Sequence, residues 1–425
     1  MFVCAALPHT SDYHNTTPHQ PKTQNPRKLG GSIKTTESDS DESSYNGEEC
    51  MGNDIPYKLG FNFTATRHDP QPPFGKTYRD GTEEQSPDLN DFSQLEYCLS
   101  RTPIAGKEHV DDTLSLEVTK VLRAGPDGGA QVVVVNENKV AKIYDPLYYR
   151  FDNDYNPDFK EDVIMEADGA YAREAAAYNA LQGAPEPQKH IPTFHGSWIT
   201  KLKTEDQRGI MRERIVPLII IDYVVGHNII DINPDKLSQK KRDNILTKVI
   251  RAETVIYHYG VIHHDLSPRN VILVGNKLAS SKLMVVIIDF DRAVVKALAG
   301  LSKPKPGKMA NPLARYWGQM MEFCWEGWLP DHDYEPEEWL LKQFGESDEF
   351  AAVKQKEGNP YSKPVHVGSA FDSDNSDKSD ETDETDETDE TDETDETDET
   401  DETDETDETD ETDESDESDE SDESD

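Results

Sequence analysis

The sequence is short of several things, and each shortage narrows what the chain can be. Cysteine is rare: Cys4, Cys50, Cys98 and Cys324 are scattered through 425 residues without the close pairs that hold zinc or the density of a disulfide scaffold. Ordinary thiols are the expectation. No apolar run approaches the ~20 residues a membrane-spanning helix needs, and Met1–Leu7 is too short and too uncharged at its start for a signal peptide. A soluble protein of the cytoplasm or nucleus is expected, with no membrane partner. Positive charge is scarce too, 43 Lys and Arg against 87 Asp and Glu, which argues against direct binding of nucleic acid.

That charge imbalance is local. Asp372–Asp425 is almost pure Ser/Thr-Asp-Glu triplets; with 34 acids and one lysine it carries −33 of the formal −44 and leaves −11 for everything before it. Such a tail repels itself and has nothing apolar to bury, so disorder is expected, and its charge suits basic protein partners, histones among them. The opening stretch is rich in Ser, Thr, Asn, Pro and His and is expected to be disordered for the same want of apolar surface. The organisation expected is therefore a disordered segment over 1–56, a partly ordered extension over 57–110 that drapes over the domain, a strand-rich part over 111–222, a helical part over 223–350, and a disordered acidic tail over 351–425.

Within the folded part the periodicity changes once. Leu114–Leu122 alternates apolar and polar side chains, Val132–Val135 and Val140–Tyr144 come next across turn residues, and the three predict an antiparallel meander. Ala170–Leu181 is dense in helix formers, with Tyr171, Ala175, Tyr178 and Leu181 along one face. Ile215–Ile221 is a continuous apolar run, read as a buried strand. A helical period then runs from Lys236 to Tyr259, with Ile245, Val249, Ala252 and Ile256 on one stripe and Gly260 as its stop.

Two blocks after that helix carry the chemistry: Val261-Ile-His-His-Asp-Leu-Ser-Pro-Arg-Asn-Val-Ile-Leu-Val274 and Leu283-Met-Val-Val-Ile-Ile-Asp-Phe-Asp291. The first resembles the catalytic loop H-x-D-L-x-P-x-N of the protein-kinase-like superfamily, the second the strand end that reads D-F-G in protein kinases. Chance agreement at His263, Asp265, Leu266, Pro268 and Asn270 is on the order of one in three million per starting position, so the signal is specific. The resemblance covers about Leu114 to Gly345. It implies an α+β, two-lobed protein-kinase-like fold: an antiparallel sheet plus one helix in an N-lobe over 111–222, and a short, mostly helical C-lobe over 223–350.

The function implied is an ATP- and Mg²⁺-dependent phosphotransferase. Moving a phosphoryl group between two oxygens needs a carboxylate to orient and deprotonate the attacking hydroxyl, and oxygen ligands to hold Mg²⁺ against the phosphates. By resemblance Asp265 is the base, Asn270 and Asp289 hold metal, Lys142 reaches the α- and β-phosphates, and Glu174 is its ion-pair partner, with Glu166 as the alternative on the same helix. The nucleotide is expected at Gly125, Gly128, Gly129, Val132, Ala141 and Lys142, and at the junction residues Asp222 and Val224. Only Gly125 of the three glycine positions in the phosphate loop matches, with Asp127 and Ala130 in the other two, and a plain hairpin turn is the competing reading there.

Departures from the pattern bear on the acceptor. Asp291 stands where protein kinases keep glycine, as in aminoglycoside and choline kinases, and offers a further metal ligand; Ser267 replaces a lysine, His264 an arginine, and no A-P-E comes after. A protein Ser/Thr hydroxyl is the first expectation for the acceptor, a small-molecule hydroxyl the second, and a catalytically inactive binding scaffold the third. The aromatic segment Asn311–Pro330 is expected to pack the second lobe through Trp317, Phe323, Trp325 and Trp328.

Overall fold

The structure, a computed structural model, describes residues 55–367 apart from 77, 79–88, 102–103, 127, 154–155, 157–158, 276–277, 279, 281, 303–306, 330–335, 358 and 360–361. The opening segment, Asp127 and the Ser/Thr-Asp-Glu tail lie outside the described residues. The fold is α+β, with one large antiparallel sheet and few helices. No helix among the described residues is long and apolar enough to cross a membrane.

Regular structure begins well before Leu114. Strand β1 (Asn62–Pro70) precedes helix α1 (Gln94–Ser100) and a long β2 (Gly106–Arg123); β3 (Gln131–Val135), β4 (Lys139–Ile143), helix α2 (Val163–Leu181), β5 (Phe194–Glu205) and β6 (Met211–Asp222) come after them. The strands close into a barrel in the order β1-β2-β3-β4-β6-β5. Closure depends on β1, which pairs with β2 along its length and with β5 at Ala65↔Thr200, Thr66↔Ile199 and Arg67↔Trp198. The stretch expected to drape over the domain thus supplies a barrel strand and leaves neither neighbour with an open edge. Alternation explains its fit: Phe63 and Ala65 point into the core while Asn62 and Thr64 stay exposed.

Where β1 meets β5 a side chain lies against the backbone of its neighbour. Gly196 has φ +105°, and Arg67 lies across it, donating to the His195 carbonyl at 3.1 Å and stacking 4.2 Å over Trp198. A Cβ at Gly196 would sit inside that guanidinium.

Helix α2 starts earlier than its alanine-rich core indicates, because Asp162 caps it by accepting from the Met165 amide at 2.9 Å. Its predicted face, Tyr171, Ala175, Tyr178 and Leu181, is buried.

The second part holds β7 (His227–Asn228), α3 (Gln239–His258), β8 (Val261–Ile262), β9 (Val271–Val274), β10 (Met284–Ile287) and β11 (Val294–Val295). The stripe Ile245, Val249, Ala252, Ile256 is completely buried, and Gly260 turns the chain out of α3 with φ +93°. Short ribbons brace the loops of this part: β9 pairs with β10 and β7, and β8 pairs with β11.

Three short helices, α4 (Pro312–Tyr316), α5 (Met321–Trp325) and α6 (Pro336–Phe344), finish this part. Arg315 and Tyr316 of α4 both bind the buried Glu253 of α3, which anchors α4. Phe323 and Trp328 are buried as expected, but Trp325 is 63% exposed, so it does not pack the core. Residues expected to open the tail are structured instead: β12 (Val353–Lys354) pairs with β13 (Val365–His366), and His366 Nε2 accepts from the Asn311 amide at 2.8 Å.

Candidate functional site

The loop between β8 and β9 is held by its own side chains. Asn270 donates from Nδ2 to the Asp265 carbonyl at 2.9 Å and to its carboxylate at 3.0 Å, which leaves the amide oxygen of Asn270 facing away from those bonds. Arg269 binds the other oxygen of Asp265 at 2.7 Å and Glu322 at 3.1 Å. Asp265 is therefore oriented from two sides and remains partly open, at 14% side-chain exposure.

His263 ties this loop to the next. Its Nε2 lies 3.0 Å from the Ile288 carbonyl and its Nδ1 3.2 Å from the Asp265 amide. A carbonyl can only accept and an amide N–H only donate, so the ring is neutral with its proton on Nε2. Phe290 packs edge-on against His263 at 4.7 Å and against Tyr178 of α2 at 5.1 Å, joining three segments through one buried ring. The two loops also hold two of the non-glycine residues at positive φ, His264 at +58° and Asp289 at +70°. Each costs on the order of 1–2 kcal/mol and is kept by the surrounding bonds.

Lys142 of β4 lies at the centre. Its ammonium donates to Glu174 of α2 at 2.5 Å and to Asp289, and stands 3.8 Å from Asp291. Tyr144 donates to the same Glu174 oxygen at 2.7 Å; the other, Oε1, is buried with no hydrogen-bond partner among the described residues. Glu174 is thus the partner of Lys142, while Glu166 is exposed.

One ammonium serves three carboxylates, and their titration separates accordingly. Burial pushes Glu174 up to about 7, against the pull of Lys142 and with repulsion from Asp289 and Asp291. Asp289 is held well below the usual carboxylate range: the charges of Lys142 and Arg123 outweigh its burial. Asp291 is raised by burial and by Asp289. Lys142 is buried too, but the three carboxylates hold it above the ordinary range of lysine.

The donor set suits a hard cation. Among the described residues no three His, Cys, Asp or Glu side chains gather into a metal cage. The two carboxylates Asp289 and Asp291 both face Lys142, and Asn270, whose N–H₂ is engaged by Asp265, is tied to their loop by its carbonyl, which accepts from the Ile288 amide at 3.0 Å. Mg²⁺ is held in this way, by one or two carboxylates with the remaining positions left to water and phosphate oxygens.

Other predicted site residues fall less simply. Val132 pairs with Lys142 and is half-buried beside it. Ala141 is the next residue to Lys142 along β4 and so turns to the opposite face of the strand; Val140, two residues before Lys142, shares its face instead. Asp222 has its amide on the Thr193 carbonyl at 2.9 Å and its carboxylate on His195 at 2.6 Å, and the Tyr223 amide is on Asn138 at 2.9 Å. Those two amides are committed to the fold; Val224 comes next, half-buried, outside any strand. At the β2–β3 turn, Gly125 binds the side chain of Gln131, Gly128 lies within the turn, and only Gly129 takes a positive φ, +66°.

Arg173 is a site residue the sequence reading missed. It is buried beside Glu174, donates from Nε to the Asp291 carbonyl at 2.6 Å and from Nη1 to the Phe74 carbonyl at 2.8 Å, and so couples α2 to the Asp289–Asp291 loop. Gly169 explains how it fits: a Cβ there would lie 2.6 Å from its guanidinium. A glycine in the interior of a strong helix was the available signal. No protein-family model matches the chain, and no curated protein matches it significantly.

Proposed function

We propose that the chain is an ATP- and Mg²⁺-dependent phosphotransferase with a two-lobed kinase-like fold, the barrel and α2 forming one lobe and the segments from α3 onward the other. The observation that carries this reading is a pair of joined clusters: Lys142 binds Glu174 and Asp289, Asn270 binds Asp265, and the two meet where the Ile288 amide donates to the Asn270 carbonyl at 3.0 Å and His263 binds the Ile288 carbonyl, next to Asp289. A capped turn or a structural ion pair would need one or two of these residues, not all five.

In this reading the acceptor oxygen forms a bond to the γ-phosphorus of ATP, the bond from that phosphorus to the β–γ bridging oxygen breaks, and ADP leaves. The acceptor proton passes to Asp265, whose carboxylate is already aimed by Asn270 and Arg269. Lys142 supplies a fixed positive charge to the phosphates, and Glu174 and Tyr144 hold it in place. Asp289, Asp291 and Asn270 would hold Mg²⁺, which supplies charge neutralisation for the phosphates when bound.

The acceptor proposed first is a protein Ser/Thr hydroxyl. A small-molecule acceptor is the second reading, favoured by one observation: Asp291, 3.8 Å from Lys142, brings a further carboxylate where protein kinases have none. The test is phosphate transfer from ATP with Mg²⁺ by the full chain, offered generic protein substrates, itself and a panel of small alcohols, with Asp265→Ala as the control. Removal of a positioned base costs about 10²–10⁴ in rate. Transfer that survives Asp265→Ala unchanged, or a chain that binds no ATP, sinks the proposal.

A further inference from the structure

In a glycine-rich phosphate loop the cradle is backbone, a run of N–H groups facing phosphate oxygens. The β2–β3 turn has closed on itself instead. Gln131, wholly buried, fills it: its Oε1 accepts from the Gly125 amide at 2.7 Å, and its Nε2 donates to the carbonyls of Gly125 and Gly129 at 3.0 and 2.8 Å. The one glycine that matches the phosphate-loop pattern therefore spends its amide on a side chain. The Gly125 amide is thus withdrawn from any phosphate, while at Lys142 the carboxylates of Glu174, Asp289 and Asp291 all face one ammonium.

A second cation stands in the strand beneath the turn. The β2–β3 ladder slips between Val121 and Arg123, and a bulge of this kind re-aims the side chain beyond it. Past the slip Arg123 pairs with Val132, and Val132 pairs with Lys142. Residues paired directly across strands share a face, so Arg123, Val132 and Lys142 stand in a row, the Cα atoms of the two basic residues roughly 10 Å apart across the sheet. Two side chains of this length can converge on one chain of phosphates from that separation.

The contacts of Arg123 leave it poised for such a role. Its Nη2 donates to the Ala130 carbonyl at 3.1 Å, which holds the guanidinium under the turn, while Nε is buried with no hydrogen-bond partner among the described residues. Arg123 is half-buried, and a buried donor that serves only the fold is normally satisfied.

Resting on the phosphotransferase reading above, we infer that Arg123 is a second phosphate-binding residue, taking over with its guanidinium what the closed turn no longer offers with its amides. The ligand class is the polyphosphate of a nucleoside triphosphate. Guanidinium suits this task, because its planar fork matches two phosphate oxygens where a backbone nest would bind them singly.

The test is calorimetric titration of the full chain with MgATP and, separately, with adenosine, for the wild type, Arg123→Gln and Arg123→Lys. Glutamine keeps a donor for the Ala130 carbonyl and removes the charge. Arg123→Gln should bind ATP about tenfold to a hundredfold more weakly, the range for losing hydrogen bonds to a charged group, with adenosine unchanged and Arg123→Lys recovering part of the loss. ATP binding equal to wild type in Arg123→Gln overturns the arginine assignment alone. A wild type that binds neither ligand overturns the phosphotransferase reading and the assignment with it. A measurement on the unaltered chain guards against a variant that fails to fold: phenylglyoxal modification of Arg123, read by peptide mass, should slow with ATP and not with adenosine. Modification indifferent to saturating ATP also overturns the assignment.

Discussion

Lys142 and Asp145 are three residues apart, both buried, and each is the centre of a polar cluster, yet the two clusters are built on opposite plans. Around Asp145 everything is matched. Arg214 and Tyr57 bind its two oxygens, Tyr57 at 2.6 Å; the Leu147 amide donates at 3.2 Å; and Arg214 spends its Nε on Thr204 at 2.6 Å. One acid faces one base and the donors are used. Around Lys142 three carboxylates share one ammonium, Glu174 keeps an orphaned buried oxygen, and Asp289 holds a left-handed backbone. A cluster that only holds a fold together has every reason to be neutral and satisfied. One left acidic and unsatisfied is what the proposed binding of a cation with a phosphate chain calls for.

The sharpest way to break this contrast is to remove the cation from each side. Arg214→Met strands a fully buried carboxylate, Asp145, and should cost about 3–5 kcal/mol in denaturant unfolding. Lys142→Met should cost less, about 1–2 kcal/mol, because Glu174 is close to taking up a proton at neutral pH and Asp289 retains 23% side-chain exposure. Equal losses would mean that the Lys142 cluster is as structural as the other.

The next largest effect is a pH dependence. Glu174 titrates near 7 in the folded chain against about 4.3 for a free glutamate, so between those values the folded state holds a proton that the unfolded state has released. Its contribution is fully present below about pH 4.3 and fades as pH rises towards 7, a loss on the order of 4 kcal/mol. Glu174→Gln should flatten that part of the stability profile. Nucleotide binding should run the other way, since the ion pair that fixes Lys142 forms only when Glu174 is ionised. Wild-type ATP affinity should thus rise with pH through about 7 and the variant's should not. Parallel stability profiles for the two proteins would show that Glu174 does not set this pH dependence.

How much of this was legible depends on how far the partners lie apart in sequence. The Asp265–Asn270 loop is readable because its bonds are local: residue types five apart fold onto each other, and neither can be replaced without losing the geometry. Lys142 and Glu174 are readable as a strand lysine and, next along the chain, a helix glutamate. Ala141, one residue from Lys142, falls on the opposite face of β4, since in a strand a shift of one moves a side chain across the sheet. The strand β1 was hidden for a different reason. In Asn62–Pro70 only Phe63 and Ala65 are buried apolar residues, and its fit rests on β2 and on β5 more than a hundred residues away. Arg173 and the closed turn at Gln131 are tertiary facts of the same kind. A sequence that spells out its side-chain chemistry says little about which backbone amides remain free.

Within the acidic cluster the smallest expected change is also the most direct measure of its imbalance. Burial and the charge of Asp289 make the ionised form of Asp291 unfavourable, and they outweigh the pull of Lys142, 3.8 Å away, and of Lys76 and Arg292. Asp291→Asn keeps the shape, leaves the backbone carbonyl that accepts from Arg173, and removes that charge. The variant should therefore be more stable than wild type by about 1 kcal/mol, the usual relation where a site is strained for function. The same substitution should shrink the rise in melting temperature that MgATP gives the wild type, because a ligand stabilises only in proportion to its affinity. Stability and ligand response moving in opposite directions is what a site built around a bound cation predicts. A variant that is destabilised, with its ligand response intact, would instead place Asp291 with Asp145 among the residues that only hold the fold.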